Sequence, residues 1–219
     1  MKTLIFSDTH LSLPFEEKKY NFMRGIIEPV DKVVINGDFW ENNQISFQQF
    51  VDSPWKNLFP LLKQKHAIYI YGNHDTEECM DANMSLFSDV QTYRHTMKLK
   101  DKELVIEHGN RLHAFIDEAF HMERIKGTLT KPYSQVEYMM VRRTGKLYLK
   151  LLNGPKNNSI KKKLKTELKR NQIYICGHTH YAEVDKSSHF VNSGIIRHGL
   201  GQYLMVENHG IEAKEEWYD

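Results

Sequence analysis

The sequence predicts an α/β fold with parallel strands in its sheet, and two observations favour this class. Short apolar runs rich in β-branched and aromatic residues recur along the chain, and segments with helical spacing separate the first three of them. Each of these runs also changes abruptly into a polar segment of Gly, Asn, His or Asp. Because right-handed βαβ connections place the carboxyl ends of such strands at one edge of the sheet, we expect a functional site at that edge.

The first strand is expected at residues 3–6, and Ser7-Asp8-Thr9-His10 follows it directly. Asp8 and His10 are two residues apart, so in extended backbone both side chains point to the same side and can reach one ion. A helix is expected from residue 15 to about residue 27, because apolar residues recur there at helical spacing. The first unit therefore provides one pair of potential metal ligands.

The second strand is expected at residues 31–36, and it ends in Gly37-Asp38. A glycine at this point lets the backbone turn sharply, so the aspartate can project from the sheet edge. Residues 44–65 are predicted to form two crossover helices, broken near Pro54 and Pro60.

The third strand, at residues 66–71, ends in Gly72-Asn73-His74-Asp75. Asn73 offers a neutral oxygen ligand, His74 can hold or give a proton near neutral pH, and Asp75 can orient a neighbouring imidazole. Alone, such a turn is ordinary loop chemistry. It becomes significant because the same change from an apolar strand to a polar turn recurs at the other strand ends.

Further strands are expected at residues 92–99 and 103–107, after a helical segment at residues 77–87. The second of these strands ends in His108-Gly109. It thus adds a further imidazole to the set at the strand ends.

Residues 111–170 are predicted to be mostly helical, with a break at Gly154-Pro155 before a basic helix from about residue 158 to residue 170. A last apolar strand, at residues 172–176, ends in Gly177-His178-Thr179-His180. The tail has alternating runs that predict an antiparallel meander.

Composition limits the function classes. The 219 residues, 40% of them hydrophobic, are enough for one large core, and we expect a single domain over residues 1–219. The formal charge of +2 does not indicate binding to nucleic acid. No apolar run reaches the ~20 residues of a membrane span, and the early first strand leaves no room for a signal peptide, so we expect a cytoplasmic protein. Cys79 and Cys176 are too few for a disulfide framework.

The strand ends together supply carboxylate, amide and imidazole groups. The candidate metal ligands are Asp8, His10, Asp38, Asn73, His108, His178 and His180. This set suits Mn, Fe or Zn, because it lacks the thiolates of a structural zinc site and has too many imidazoles for calcium. Seven ligands are enough for two ions if one carboxylate bridges them. His74 is the candidate catalytic residue, since an imidazole that binds no metal can protonate a leaving oxygen.

Five motifs occur in order: Asp8-x-His10, Gly37-Asp38, Gly72-Asn73-His74-Asp75, His108-Gly109 and Gly177-His178-x-His180. With them the sequence resembles the calcineurin-like metallophosphoesterases, from residue 3 to about residue 194. The resemblance implies a four-layer α/β/β/α sandwich of two mixed sheets, with a small helical cap at about residues 111–170. It also implies a hydrolase that acts on phosphoric ester bonds.

The resemblance further implies a role for each motif residue. One ion is expected on Asp8, His10, Asp38 and His180, and the other on Asp38, Asn73, His108 and His178. His74 matches the non-ligand catalytic histidine of the family, with Asp75 as its orienting acid. Two ions about 3.5–4 Å apart lower the pKa of a shared water toward ~7 and bind both the attacking and the leaving oxygen. Attack by a metal-bridging hydroxide, with Mn as the expected metal, is the mechanism that follows.

The substrate is left open. Gly37-Asp38-Phe39-Trp40-Glu41 and His108-Gly109-Asn110 look most like the branch with the UDP-2,3-diacylglucosamine pyrophosphohydrolases, but His74 stands where that branch usually has Arg, and Asn110 where it usually has Asp. We expect a phosphorylated small molecule or a nucleotide-type substrate, bound as a monoester, a diester or a pyrophosphate.

Two other functions remain as alternatives. A metal-dependent nuclease is suggested by Lys161-Lys162-Lys163 and Lys169-Arg170. A non-catalytic scaffold would keep the fold as a surface for a protein partner, but the complete ligand set and His74 argue against it. The sequence does not indicate an oligomeric state.

Overall fold

The computed structural model of the chain describes residues 1–113 and 126–218. Its strands, in chain order, are β1 (Thr3–Phe6), β2 (Lys32–Asn36), β3 (Ile68–Ile70), β4 (Val90–Thr92), β5 (His95–Leu99), β6 (Lys102–Ile106), β7 (Gln172–Cys176), β8 (Glu183–Asp185), β9 (Phe190–Asn192), β10 (Ile196–Arg197), β11 (Leu200–Glu207) and β12 (Gly210–Trp217). The α-helices are α1 (Glu17–Ile27), α2 (Phe47–Asp52), α3 (Phe59–Gln64), α4 (Lys126–Thr144) and α5 (Lys146–Glu167).

The strands form two mixed sheets. In the first sheet the order is β10-β11-β1-β2-β3-β4, with β12 paired to β11, and β1 to β4 run parallel to one another. In the second sheet the order is β5-β6-β7-β9-β8, and β6, β7 and β9 run parallel. The carboxyl ends of β1, β2 and β3 therefore lie at one edge of the first sheet, as predicted.

An apolar layer joins the two sheets, because alternate strand residues point to opposite faces. This layer includes Ile5 and Val34 from the first sheet and Ile106 and Ile175 from the second. A larger cluster on the outer face of the first sheet packs against α1, α2 and α3. On the outer face of the second sheet, Ile160 and Leu164 of α5 join Tyr174, Cys176 and Phe190. The four-layer α/β/β/α architecture is thus confirmed.

Several predicted elements differ in detail. The predicted helix at residues 77–87 is wrong, since this segment forms two short 3₁₀ turns, Glu77–Cys79 and Ala82–Leu86. Pro60 occupies the first turn of α3 and does not break a helix, because a proline there costs no intrahelical hydrogen bond. A 3₁₀ turn at Pro54–Leu58 separates α2 from α3, as the break at Pro54 predicts.

The predicted helix break at Gly154-Pro155 is also wrong, because α5 continues through both residues. A proline removes only one backbone hydrogen-bond donor from the helix. Asn153 and Asn157, one helical turn apart on either side of Pro155, are both buried, and their packing keeps the helix continuous. The predicted meander of the tail is divided, since β8 and β9 join the second sheet and β10 to β12 join the first. None of the described helices is long and apolar enough to cross a membrane.

The predicted cap, at about residues 111–170, contains α4 and α5. Residues 114–125 of that range lie outside the described residues. The division of the chain into one domain with a cap therefore stays a prediction.

Candidate metal centre

The seven candidate ligands follow the carboxyl ends of five strands, namely β1, β2 and β3 of the first sheet and β6 and β7 of the second. Five of the seven have left-handed backbone. Their φ angles are 53° at Asp8, 44° at His10, 52° at Asp38, 64° at His178 and 62° at His180. This region is unfavourable for residues with a Cβ, and Asp and His enter it more readily than most. Such conformations persist where the surrounding structure enforces them, and they cluster at functional sites.

One group of ligand atoms combines Asp8, His10 and His180. His180 Nε2 lies 3.3 Å from His10 Nε2 and 3.4 Å from Asp8 Oδ1. Asp8 is completely buried, and its Oδ1 accepts no hydrogen bond from any described residue. Its other carboxylate oxygen accepts from the Ser7 hydroxyl and from the backbone N–H of His178. Asp8 Oδ1 therefore faces the imidazoles of this group without a hydrogen bond.

A second group combines Asp38, His108 and His178, with Asn73 beside them. His108 Nε2 lies 3.3 Å from Asp38 Oδ2 and 3.1 Å from Asn73 Oδ1. Asn73 Oδ1 also lies 2.9 Å from His178 Nδ1. Because Asp38 Oδ2 is 3.8 Å from His10 Nε2 as well, the Asp38 carboxylate lies between the two groups.

Protein oxygens hold the other ring nitrogen of three of these imidazoles. His10 Nδ1 contacts Glu41 Oε2 at 2.9 Å, His108 Nδ1 contacts the Asn36 carbonyl at 2.8 Å, and His178 Nε2 contacts the His113 carbonyl at 2.6 Å. Carboxylate and carbonyl oxygens only accept hydrogen bonds, so the proton lies on the nitrogen that faces them. When the ring is neutral, the nitrogen that faces the group presents a lone pair.

With their imidazoles neutral, both groups present lone pairs on ring nitrogens and carboxylate oxygens that lie within 4.8 Å of one another, and such a ligand set suits a cation. The second-sphere contacts also follow the pattern of metal-binding histidines, which donate their other N–H to a carboxylate or a carbonyl. The residues present in each group fit a divalent metal ion.

The pKa shifts reflect the same electrostatic environment. Burial lowers the pKa of His10 to about 4 and that of His178 to about 3. At His108 burial is outweighed by Asp38, which raises the pKa to about 10. At His180 burial is outweighed by Asp8 and Glu137, which raise the pKa to about 9. The carboxylates thus attract positive charge at each group.

His74 lies beside the centre and belongs neither to the group of Asp8, His10 and His180 nor to the group of Asp38, His108 and His178. Its Nδ1 contacts Glu41 Oε1 at 2.8 Å, and its backbone N–H donates to Asp38 Oδ1 at 2.9 Å. Burial opposes protonation of the ring, but Asp38 and Glu41 raise the pKa of His74 to about 9. His10, Glu41 and His74 also lie within 4.8 Å of one another. In that group Glu41 contacts Nδ1 of both imidazoles, with Oε2 on His10 and Oε1 on His74.

Asp75 occupies a different place from the one expected for an orienting acid. Its buried carboxylate accepts from the backbone N–H groups of Gly72, Asp38 and Phe39 at 2.8, 3.0 and 2.6 Å, and from the Tyr69 hydroxyl. Four donors occupy this carboxylate, and the His74 ring instead contacts Glu41 at 2.8 Å and Asn43 at 3.0 Å, both through Nδ1. Asp75 thus connects the loops after β2 and β3.

Two glycines allow these loops to approach closely. A Cβ at Gly72 would overlap the Asp38 side chain and its backbone nitrogen, and a Cβ at Gly177 would overlap Ser7 and the Asp8 carboxylate. In both motifs a side chain in place of the glycine would clash with the neighbouring loop, so glycine is needed for steric reasons as well as for the turn.

Glu41 and Glu137 also line the site, and neither was predicted from the sequence. Glu41 follows Asp38 by three residues in the segment that carries the resemblance, which is a signal that could have found it. Glu137 lies on α4, and its Oε1 is 3.8 Å from His180 Nδ1. No motif or periodicity marks Glu137.

The basic helix packs against the protein by one face, where Ile160 and Leu164 are buried. Lys161 contacts Glu183 and Asp185 at 2.7 and 3.2 Å, and Lys163 donates to the backbone carbonyl of Leu112 at 2.7 Å. Two of the lysines that suggested a nuclease are thus engaged within the protein.

Comparisons with known proteins give a family and a fold. The model of the calcineurin-like phosphoesterase superfamily domain matches residues 1–205. Among solved structures, an archaeal phosphodiesterase matches with 18% identity over 99% of both chains and a TM-score of 0.51. Yfce, a phosphoesterase from E. coli, matches with 15% identity over 100% of both chains and a TM-score of 0.51.

Vps29 from Entamoeba histolytica complexed with zinc also matches, with 12% identity over 100% of both chains and a TM-score of 0.47. No curated protein matches the chain. At these identities the solved structures show the fold alone.

Proposed function

Because the chain belongs to the calcineurin-like phosphoesterase superfamily, we propose that it is a metal-dependent hydrolase of phosphoric esters with a centre of two divalent ions. One observation carries this proposal: two clusters of acceptor atoms meet at the Asp38 carboxylate, whose Oδ2 is 3.3 Å from His108 Nε2 and 3.8 Å from His10 Nε2. A shared carboxylate of this kind is what a pair of neighbouring ions requires.

In this proposal Asp8, His10, Asp38 and His180 hold one ion, and Asp38, Asn73, His108 and His178 hold the other. Imidazole, carboxylate and amide ligands suit Mn, Fe or Zn, and we propose Mn as the working metal. When bound, the two ions supply the activated nucleophile and neutralise charge on the phosphoryl oxygens.

His74 holds and delivers a proton in the proposed mechanism. Its Nδ1 is engaged by Glu41 at 2.8 Å, so Nε2 is the atom available to the substrate. With a pKa of about 9, the ring is protonated at neutral pH and can stabilise negative charge on the phosphoryl group or protonate the leaving oxygen. Glu41 keeps the ring in this orientation. Asp75 fixes the backbone of the loops that carry Asp38 and His74.

We propose a phosphorylated small molecule or a nucleotide-type compound as the substrate. The likeness to the UDP-2,3-diacylglucosamine pyrophosphohydrolase branch rests on several motifs, but His74 replaces the arginine usual there. A protonatable imidazole at this position suits a general monoesterase or diesterase. The contacts of Lys161 and Lys163 within the protein favour this reaction over a nuclease.

The test is hydrolysis of p-nitrophenyl phosphate and bis-p-nitrophenyl phosphate with Mn, by the wild type, by His74→Ala and by His66→Ala as a control. His66 is an exposed imidazole paired with Asp89. Loss of general acid catalysis typically costs 10²–10⁴-fold, so we expect His74→Ala to lose about that much activity. Its metal content should be unchanged, because His74 contributes to neither group, and His66→Ala should match the wild type. Two bound ions without turnover of either ester, or full activity in His74→Ala, would contradict the proposal.

A further inference from the structure

The helix α4 rests on the rest of the chain through a small part of its described surface. Val141 is completely buried and joins an apolar cluster with Leu149 and Ile195, and Glu137 lies one turn earlier on the same helix face. On the other faces Val136 is 54% exposed and Met139 is 66% exposed. Glu137 is therefore one of the few described side chains through which α4 contacts the rest of the chain.

Glu137 is a buried carboxylate, with 3% of its surface exposed, among positively charged or protonatable groups. Its Oε2 lies 3.1 Å from His198 Nε2 and 3.6 Å from an Arg197 guanidinium nitrogen. Its Oε1 faces His180 Nδ1 at 3.8 Å. A buried carboxylate needs such partners, because an unpaired buried charge is costly.

The two ring nitrogens of His180 thus face two different sets of side chains. Nε2 faces Asp8 and His10 in the first group of ligand atoms, and Nδ1 faces Glu137 on α4. An imidazole that binds a cation through Nε2 keeps its proton on Nδ1, and that N–H seeks an acceptor. The distance of 3.8 Å is longer than a hydrogen bond, so a shift of about 1 Å is needed to form one.

We propose that Glu137 is a positioning residue that couples the docking of α4 to the ion held by Asp8, His10 and His180. This inference rests on the proposed function, because it assumes an ion at that group. Ion binding orders the Nδ1–H of His180 toward Glu137 and draws α4 onto the site. Because such coupling is reciprocal, a docked α4 strengthens ion binding by the same factor.

The competing account is purely structural. In that account Glu137 anchors α4 through His198 and Arg197, and α4 does not respond to the ion. The two accounts differ in a readout other than activity, namely the dependence of backbone hydrogen exchange in α4 on Mn.

Hydrogen exchange of residues 135–144 would be measured with and without Mn in the wild type and in Glu137→Gln, together with Mn affinity by calorimetry. We expect Mn to slow exchange in α4 of the wild type. In Glu137→Gln we expect no Mn-dependent change in α4, and an affinity for Mn at one of the two positions that is about 10–100-fold lower. Met139→Ala, an exposed change on the same helix, should behave as the wild type.

His198→Gln provides a second variant in case Glu137→Gln leaves α4 undocked. It removes the 3.1 Å contact but keeps Glu137 opposite His180, so Mn should still protect α4. Protection of the His178 to His180 loop by Mn without any change in α4 of the wild type would overturn the proposal. So would loss of the response in His198→Gln. Failure of the proposed function is distinguishable, because the wild type would then bind no ions in metal analysis, or would bind ions and hydrolyse neither nitrophenyl ester.

Discussion

Replacing Glu41 with Gln tests how one carboxylate holds two imidazoles. In the structure Glu41 gives one oxygen to each ring, with Oε2 at 2.9 Å from His10 Nδ1 and Oε1 at 2.8 Å from His74 Nδ1. An amide has one carbonyl oxygen and one NH₂ group, so it can accept a hydrogen bond from only one of the rings. The other ring would face an N–H donor and must move its proton to Nε2.

Each orientation of the new amide disables a different part of the site. If its carbonyl faces His74, the proton of His10 moves to Nε2, which is the nitrogen directed at the first group of ligand atoms. Loss of such a contact behind a metal-binding histidine typically lowers metal affinity or activity by about 10–100-fold. If its carbonyl faces His10, His74 loses the carboxylate that helps to raise its pKa to about 9. Asp38 remains, so we expect a fall of about one pKa unit or more, which corresponds to about 1.4 kcal/mol per unit.

Three measurements detect the weaker metal binding and the lower pKa of His74. NMR titration of the histidine ring signals in metal-free protein gives the pKa of His74, calorimetry gives the affinity for Mn, and steady-state kinetics gives kcat/KM on the better nitrophenyl ester. Glu77→Gln is the matched control, because Glu77 is an exposed acid in the first position of a short 3₁₀ turn. If Glu41→Gln keeps the His74 pKa, the affinity for Mn and kcat/KM of the wild type, the inferred role of Glu41 is wrong.

Three further predictions follow from the structure. Asp38→Ala should lose both ions and activity together, because Asp38 lies between the two groups, and metal analysis that finds full occupancy would contradict this. Mn binding near pH 7.5 should release about two protons, because His108 and His180 have pKa values of about 10 and about 9 and each must lose a proton to bind metal. Calorimetry in buffers of different ionisation enthalpy measures the number of protons released, and a release of none would refute the prediction. Burial lowers the pKa of Lys19 to about 8 from an ordinary 10.5. Between these pH values Lys19 is protonated in the unfolded chain and neutral in the folded one, so the free energy of unfolding should rise with pH, by up to about 3 kcal/mol. Urea unfolding at pH 7.5 and pH 10 should show a smaller rise in Lys19→Met, and an equal rise in both proteins would contradict the assignment.

The strand ends were predictable because their signals are local. At Asp8, Asp38 and His178 a buried strand stops and a polar turn starts within one or two residues, and the order of these events along the chain carries the family resemblance. The left-handed backbone at these positions follows from the same turns, since Asp and His enter that region more readily than most residues.

The contacts behind the ligands were less predictable because they join distant segments. The position of Glu41, three residues after Asp38 in the segment that carries the resemblance, could have marked it as a site residue, but its contacts with His10 and His74 depend on how the loops fold. Glu137 meets His180 only because α4 packs across the chain, and the sequence of α4 has no marked amphipathic pattern. The continuity of α5 through Pro155 likewise depends on packing by Asn153 and Asn157, which outweighs the local preference for a break.

Each group of ligand atoms draws its members from both sheets. Asp8 and His10 follow β1 of the first sheet, whereas His180 follows β7 of the second, and the other group likewise combines Asp38 with His108. The described apolar core between the sheets is a layer of aliphatic side chains. With ions in place as proposed, each one acts as a cross-link between the two halves of the sandwich, and an ion supplied at 1,000 times its dissociation constant adds about 4 kcal/mol to the free energy of unfolding. Metal starvation would thus shorten the lifetime of the folded chain as well as stop its chemistry.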